Sequence, residues 1–361
     1  MDAGTKPRNM DVGLLTLGDH LPAPDGSESQ TQPQRYRTIV EAAVRAEALG
    51  FSSVWVGEHH FCSYIVSSPP VVLASIAERT TNLRLGTAVT LLANLDPVRV
   101  AEDYGTLDVL SGGRLELVVG RGILVETYEA FDQTVADSRD AFAEKLELLL
   151  RLWTDTGVHW SGRFRSPLAN VTVQPRPLQH PHPPVWVGGG SSPASIELAA
   201  RLGLPLMLPS VLARAEAFAP MVQHYRECFV RAGHPREHMR VGACSHLHVE
   251  RDGRSARSRW RPYYANYFGF VDRLWSRRDL IDRRLQVSFD YEALLDGPAI
   301  CGDPGEVRDR ILHMNELLGL DLHLSMMDLG GLPEAEVFAT LELFGAEVLP
   351  ALRAAQRPTS R

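Results

Sequence analysis

The chain has 361 residues, 44% of them hydrophobic, with a formal charge of -7 and a pI near 6.0. That is enough apolar material for a substantial core, and it lacks the basic footprint of a nucleic-acid binder. No apolar run reaches bilayer length and the opening MDAGTKPRNM lacks a signal-peptide stretch, so a cytoplasmic protein without a membrane partner is expected.

In chain order, residues 1–9 are expected to be disordered ahead of one domain over 10–355. DVGLLTL (11–17) predicts a strand and 36–50 a helix closed by Gly50. Strand 52–57, a helix near 69–81, strand 83–91, helix 97–110 and strand 114–120 follow. The second half repeats the plan with strand 183–189, helix 193–203, strand 204–210, helix 213–232, strand 239–250, strand 319–329 and a closing helix. Ser68-Pro69, Asp96-Pro97, Ser192-Pro193 and Asp303-Pro304 each pair an N-cap oxygen with a proline at the first helical position. Eight strand units predict an α/β fold, a (β/α)8 TIM barrel with insertions at the carboxyl-terminal face of the strands. An open doubly wound sheet would want G-x-G-x-x-G after its first strand, which is missing. Two insertions interrupt the alternation. Turn chemistry and prolines over 156–183 suggest a hairpin over one barrel end, and the aromatic, charged stretch 260–300 suggests a lid.

Three clusters fall after strands two, four and five, so all three open on one barrel face. Glu58, His59 and His60 can move a proton near neutral pH, the acid orienting its neighbour; the plainer alternative is a strand cap and a filled polar gap. Gly120, Arg121 and Gly122, with Arg139 beyond them, suit a close backbone approach and a phosphate fork. Gly188 to Ser195, including Gly189, Gly190, Ser191, Ser192 and Ser195, offers small residues and hydroxyls at a helix start, which can cradle phosphate or make an ordinary cap. Together they suit a phosphate-bearing cofactor lying across the barrel mouth. His180-x-His182 and His246-x-His248 lack a neighbouring acid or cysteine at a familiar ligand spacing, so no metal is expected. Cys62 beside His60 could act as a nucleophile but has no third orienting group. With Cys228, Cys244 and Cys301 it reads as a free thiol.

GFSSVWVGEHHF, LRLGTAVTLLANLDPVRVAEDYGTLDVLSGGRLELVVGRG, SRDAF, PPVWVGGGSSPASIELAARLGLPLML, GDPGEVRDRI and LFGAEVLPAL, in this order, resemble the bacterial luciferase-like, flavin-dependent monooxygenases over nearly the whole chain. The resemblance implies reduced FMN at the carboxyl ends of the strands, delivered by a separate flavin reductase. It further implies reaction with O2 through a flavin hydroperoxide to oxygenate a small organic substrate, as in secondary-metabolite biosynthesis. It assigns His59 the proton-handling role, Arg121 and Ser191, Ser192 or Ser195 to the flavin phosphate, and a non-proline cis peptide to Ala88-Val89. It implies a mobile lid over 260–300 and a homodimer. Gly120 stands where the light-emitting α subunit has a reactive cysteine and Leu124 where it has an aromatic residue, so light emission is not implied. Two other readings are a deazaflavin-dependent oxidoreductase doing hydride transfer and a non-catalytic flavin-binding subunit.

Overall fold

The computed structural model describes residues 9–27, 30–189, 192–211, 213–275 and 290–356. Its first half runs β1 (Asp11–Thr16), α1 (Gln32–Leu49), β2 (Ser53–Val56), α2 (Pro69–Ala77), β3 (Arg84–Thr90), α3 (Pro97–Leu110), β4 (Leu115–Val119), α4 (Val125–Ala130) and α5 (Ser138–Thr154). A hairpin of β5 (Val158–Trp160) and β6 (Leu168–Val171) precedes β7 (Val185–Gly188), α6 (Pro193–Arg201), β8 (Leu206–Met207), α7 (Ala215–Ala232) and β9 (Val241–Val249). The chain continues through α8 (Gly253–Leu274), α9 (Tyr291–Asp296), β10 (Ile300–Gly302), α10 (Pro304–Leu318), β11 (Leu322–Met326), α11 (Glu334–Leu343) and α12 (Leu349–Ala355).

Parallel pairing in the order β1, β2, β3, β4, β7, β8, β9, β11, with β11 back on β1, closes the eight-stranded barrel expected from the alternation. Closure leaves the β1–β11 pair no free edge and puts every βα loop at one end. The pleat then sorts side chains by parity. Leu14, Val54, Val56, Leu117, Val119, Val185 and Val187 pack outward under the helices. Leu15, Trp55, Val118, Trp186, Met207 and Leu324 fill the interior. Trp55 needs Gly86 beside it, because a Cβ there would stand 2.1 Å from the indole. The two interior indoles keep their N–H bonds, Trp55 to Ser53 Oγ at 2.8 Å and Trp186 to Glu116 Oε2 at 2.9 Å.

The four proline-marked helices start where expected, but their caps differ. Asp96 accepts from Val98 N, and Asp303 accepts from Gly305 and Glu306 N within a capping box. Ser68 and Ser192 make no such bond, and Ser192 Oγ instead lies 3.3 Å from Ser195 Oγ. Gly50 ends α1 at φ 88°, a left-handed position that favours glycine.

The 156–183 hairpin does not lie across a barrel end. It is tied along the outside of α3 and α5, Leu178 N and Gln179 N donating to Asp108, with only its tip, through Arg163 to Asp137 and Arg165 to Asp96, reaching the loops at the carboxyl end. The stretch expected as a lid resolves differently. Residues 260–274 are the latter part of α8, whose Trp260, Tyr264, Tyr267, Phe268 and Val271 are buried with the barrel interior. Residues 276–289 lie outside the described residues, as do 1–8 of the expected disordered N-terminus. Among the described residues no helix is long and apolar enough to cross a membrane, and all four cysteines are free.

Candidate active site

At the carboxyl ends of the strands a cavity of about 290 Å³ opens. All eight barrel strands contribute to its wall, most through their last residues or the loops that follow them and β9 through Cys244 and His246 within the strand, and α8 closes one side with Tyr267, Phe268 and Val271. The two sequence clusters after β2 and β4 converge here, and so does the described part of the third.

His59 faces the cavity, its backbone N–H held by Val66 O at 3.0 Å and its ring 4.2 Å from that of Tyr64. Its Nδ1 is buried with no hydrogen-bond partner among the described residues. Burial, and secondarily the neighbouring His60, push its pKa down to about 3, so the imidazole is neutral at pH 7. His60 points elsewhere: its Nε2 donates to Glu58 Oε1 at 2.8 Å and its ring meets the edge of Phe131 at 4.9 Å. Glu58 is 3% exposed and accepts from Leu91 N through its other oxygen at 3.0 Å. Glu58 thus clasps the loop after β2 to the loop after β3, with His60 as its counter-group, while His59 alone of the two histidines reaches the cavity.

Ala88 and Val89 line the cavity and are joined by a cis peptide, as the resemblance implied. Arg121 and Gly122 line it too. The Arg121 guanidinium is 3.4 Å from Ser138 Oγ, and its carbonyl accepts from Asn94 Nδ2 at 3.2 Å and from the Tyr128 hydroxyl. Gly122 sits at φ 81°, where a Cβ would be 3.2 Å from Leu91, so a side chain would strain the backbone and narrow the cavity. Gly189 and Ser195 line the same wall. Ser192, the N-cap of α6, is buried behind them, and Gly190 and Ser191 lie outside the described residues. Arg139 is exposed in the first turn of α5 and takes no part in the wall.

Three wall residues escaped the sequence reading, and one entered it only as a metal candidate. Asn94, Thr127 and His246 each carry a buried polar atom (Oδ1, Oγ1 and Nε2) with no partner among the described residues, and Tyr64 OH donates to Tyr267 OH at 2.8 Å. His248 is held by Glu250 and Thr340 and His182 by Pro183 O, so these histidines serve protein contacts. Burial raises the Cys62 and Cys244 pKa values, so neither thiol is poised as a nucleophile.

Orphaned polar atoms around an otherwise apolar cavity, an arginine and a helix N-terminus on one side, and glycines whose Cβ would intrude, fit a large planar cofactor with an anionic tail. The family model described as luciferase-like monooxygenase matches residues 10–321. The chain belongs to that family. Among curated relatives of this luciferase-like monooxygenase, the oxygenase component of flavin-dependent trigonelline monooxygenase from Acinetobacter baylyi is 27% identical, over 90% of this chain and 92% of its own. Monooxygenase RslO1 from Streptomyces bottropensis is 30% identical, with a TM-score of 0.82 over 95% of this chain and 99% of its own. An F420-dependent secondary alcohol dehydrogenase solved with an F420–acetone adduct shares the fold at 19% identity and a TM-score of 0.74, covering 95% and 99%.

Buried neutral imidazoles have a consequence for acid stability. His59 and His246 are pushed down to about 3 and His323 to about 4, each by burial first. A depressed histidine contributes stability that is present above its unfolded value of about 6.5 and lost as pH falls toward its folded one. Asp19, raised to about 7 by burial, and Asp11, also raised by burial, act in the opposite direction, against five histidines lowered by burial once His182 and His248 are included. The thermal midpoint is expected to fall steadily from pH 6.5 to pH 4; a flat profile by scanning calorimetry would contradict this.

Proposed function

We propose that this luciferase-like monooxygenase binds reduced FMN in the cavity and uses it with O2 to oxygenate a small organic molecule. We assign the supply of reduced FMN to a separate reductase. The observation that carries the reading is the convergence of His59, the Ala88–Val89 peptide, Arg121 and Ser195 on one cavity. The name of the trigonelline relative, an oxygenase component, supports the separate reductase, and RslO1 supports the monooxygenase class.

Bound reduced flavin supplies the electrons that activate oxygen. The chain does the rest. Arg121, Ser195 and the N–H groups opening α6 hold the phosphate, the guanidinium by charge-assisted hydrogen bonds. Gly120, Gly122 and Gly189 let the backbone approach the ring system. His59 is neutral at pH 7 and lines the cavity, so its ring can share a hydrogen bond with a reacting group and relay a proton instead of storing one. Leu15, Leu208, Val271 and Met326 exclude water from the reacting atoms.

Arg121→Ala tests the cofactor assignment. A lost charge-assisted bond is worth about 1.5–3 kcal/mol, so affinity for reduced FMN is expected to fall about tenfold to a hundredfold, while riboflavin, which lacks the phosphate, is little affected. Anaerobic titration reads both. Equal losses for the two ligands would remove Arg121 from the phosphate site, and preferential binding of a reduced deazaflavin would favour hydride transfer instead.

A further inference from the structure

Of the wall's polar groups with no task in the oxygenation just described, His246 is the one whose second ring nitrogen is paired with a hydroxyl. His246, in β9, is 3% exposed, belongs to the wall, and stands edge-on to Tyr267 and Phe268 of α8 at ring separations of 5.1 and 6.3 Å. Its Nδ1 is 2.9 Å from the Tyr264 hydroxyl. Burial raises the Tyr264 pKa well above 10, so that hydroxyl keeps its proton and needs an acceptor. Nδ1 is the partner it has, and Tyr264 therefore donates to it. The neutral ring then carries its own proton on Nε2, which is sealed from solvent and without a partner among the described residues.

The cavity wall is mostly apolar, with Leu208, Val211, Val271, Trp275 and Leu324 among its members. A buried donor without an acceptor is costly, and the shortage here is of one acceptor on an otherwise apolar occupant. The aromatic edges of Tyr267, Phe268 and Trp275 favour a flat molecule.

We infer that the His246 Nε2–H donates to the substrate and thereby selects and orients it, and that the substrate class is a flat, apolar molecule bearing a carbonyl oxygen. This deepens the oxygenase reading of the same cavity and rests on it. Tyr264 is a positioning residue, since its hydroxyl sets which ring nitrogen carries the proton. A site that presents a buried donor to its occupant rejects an analogue lacking the acceptor more strongly than an apolar wall rejects a wrong shape.

The test is equilibrium binding, by calorimetry on the full chain without flavin, of 2-acetylnaphthalene and 2-isopropenylnaphthalene, which share a ring and differ only in C=O against C=CH2. The wild type is expected to prefer the ketone by about tenfold, and His246→Phe to bring the two within about twofold. Tyr264→Phe leaves His246 in place but frees its tautomer, and the preference is expected to drop at least threefold; this variant decides the matter if His246→Phe does not fold. Reduced FMN affinity is expected to stay constant throughout. No preference in the wild type, no binding of either compound, a preference that survives either substitution, or a tenfold loss of FMN affinity in His246→Phe would each overturn the inference. Binding is read without flavin or O2, so failure of the oxygenase reading shows separately, as reduced flavin that reoxidises unprotected, while a His246-dependent ketone preference still stands.

Discussion

His59→Ala is expected to lower the yield of ¹⁸O-labelled product per reduced flavin about a hundredfold or more, while reduced FMN affinity changes less than about threefold. The measurement is a single turnover under ¹⁸O2 across a panel of flat apolar ketones, read by mass spectrometry. The magnitude is that of a positioned acid–base group. The asymmetry follows from placement. His59 lines the cavity from the loop after β2, its Nδ1 without a partner among the described residues, whereas Arg121, Gly189 and Ser195 follow β4 and β7. Loss of flavin binding in parallel with product would make His59 a cofactor contact instead of a proton handler. Full product yield would remove it from the chemistry.

The second large effect concerns the frame beneath the cavity. Arg35 of α1 is 5% exposed and bridges two carboxylates, donating through Nε to Asp19 O at 2.7 Å and through its terminal nitrogen to Asp19 Oδ1 at 3.5 Å and to Asp328 Oδ2. Asp19 Oδ2 accepts from Gly330 N at 2.6 Å, and Thr16 donates to Asp328. The network therefore locks the exit of β1 to the exit of β11, the two strands that place Leu15, Leu324 and Met326 in the cavity wall. Arg35→Met leaves the buried Asp19 carboxylate facing the partly buried Asp328 without their shared cation, and breaking such a pair costs about 3–5 kcal/mol. Burial already raises Asp19 to about 7 against the opposing pull of Arg35, so without the arginine it rises further. A raised carboxyl gives stability that is present at low pH and lost as pH climbs through its folded value. The destabilisation is thus expected to be larger at pH 8 than at pH 5.5. Urea unfolding at the two pH values checks this, and a loss under about 1 kcal/mol at both would contradict it.

The barrel was legible because its strands are short apolar runs with the right parity and four of its helices start at proline. β10 was not, since three residues, Ile300–Gly302, carry no periodicity of their own and pair only with the far end of β9. The stretch 260–300 was read as a lid because it is aromatic, charged and long, and nothing local shows that the aromatics of 260–271 form the buried face of α8. In the site, glycine and histidine clusters adjacent in sequence pointed to Glu58, His59, Arg121 and Ser195. The sequence alone could not tell His59 from His60, because which ring meets Glu58 depends on the turn between them. Asn94, Thr127 and Tyr64 are single polar residues in ordinary surroundings, and only the burial of their neighbours makes them notable. His246 drew notice for its spacing from His248, which suggested metal, whereas the Tyr264 hydroxyl is what gives it a role. The Arg35 network joins residues 16 and 293 positions apart, a distance over which no local pattern operates.

Stopped-flow absorbance tests the central claim most directly. The protein is mixed anaerobically with reduced FMN and then with oxygenated buffer. The oxygenase reading predicts a transient absorbance distinct from oxidised flavin that outlives the reoxidation of free reduced FMN by at least tenfold, because the cavity excludes water from the oxygen-reactive state. Reoxidation at the rate of free flavin, without a transient, would contradict it.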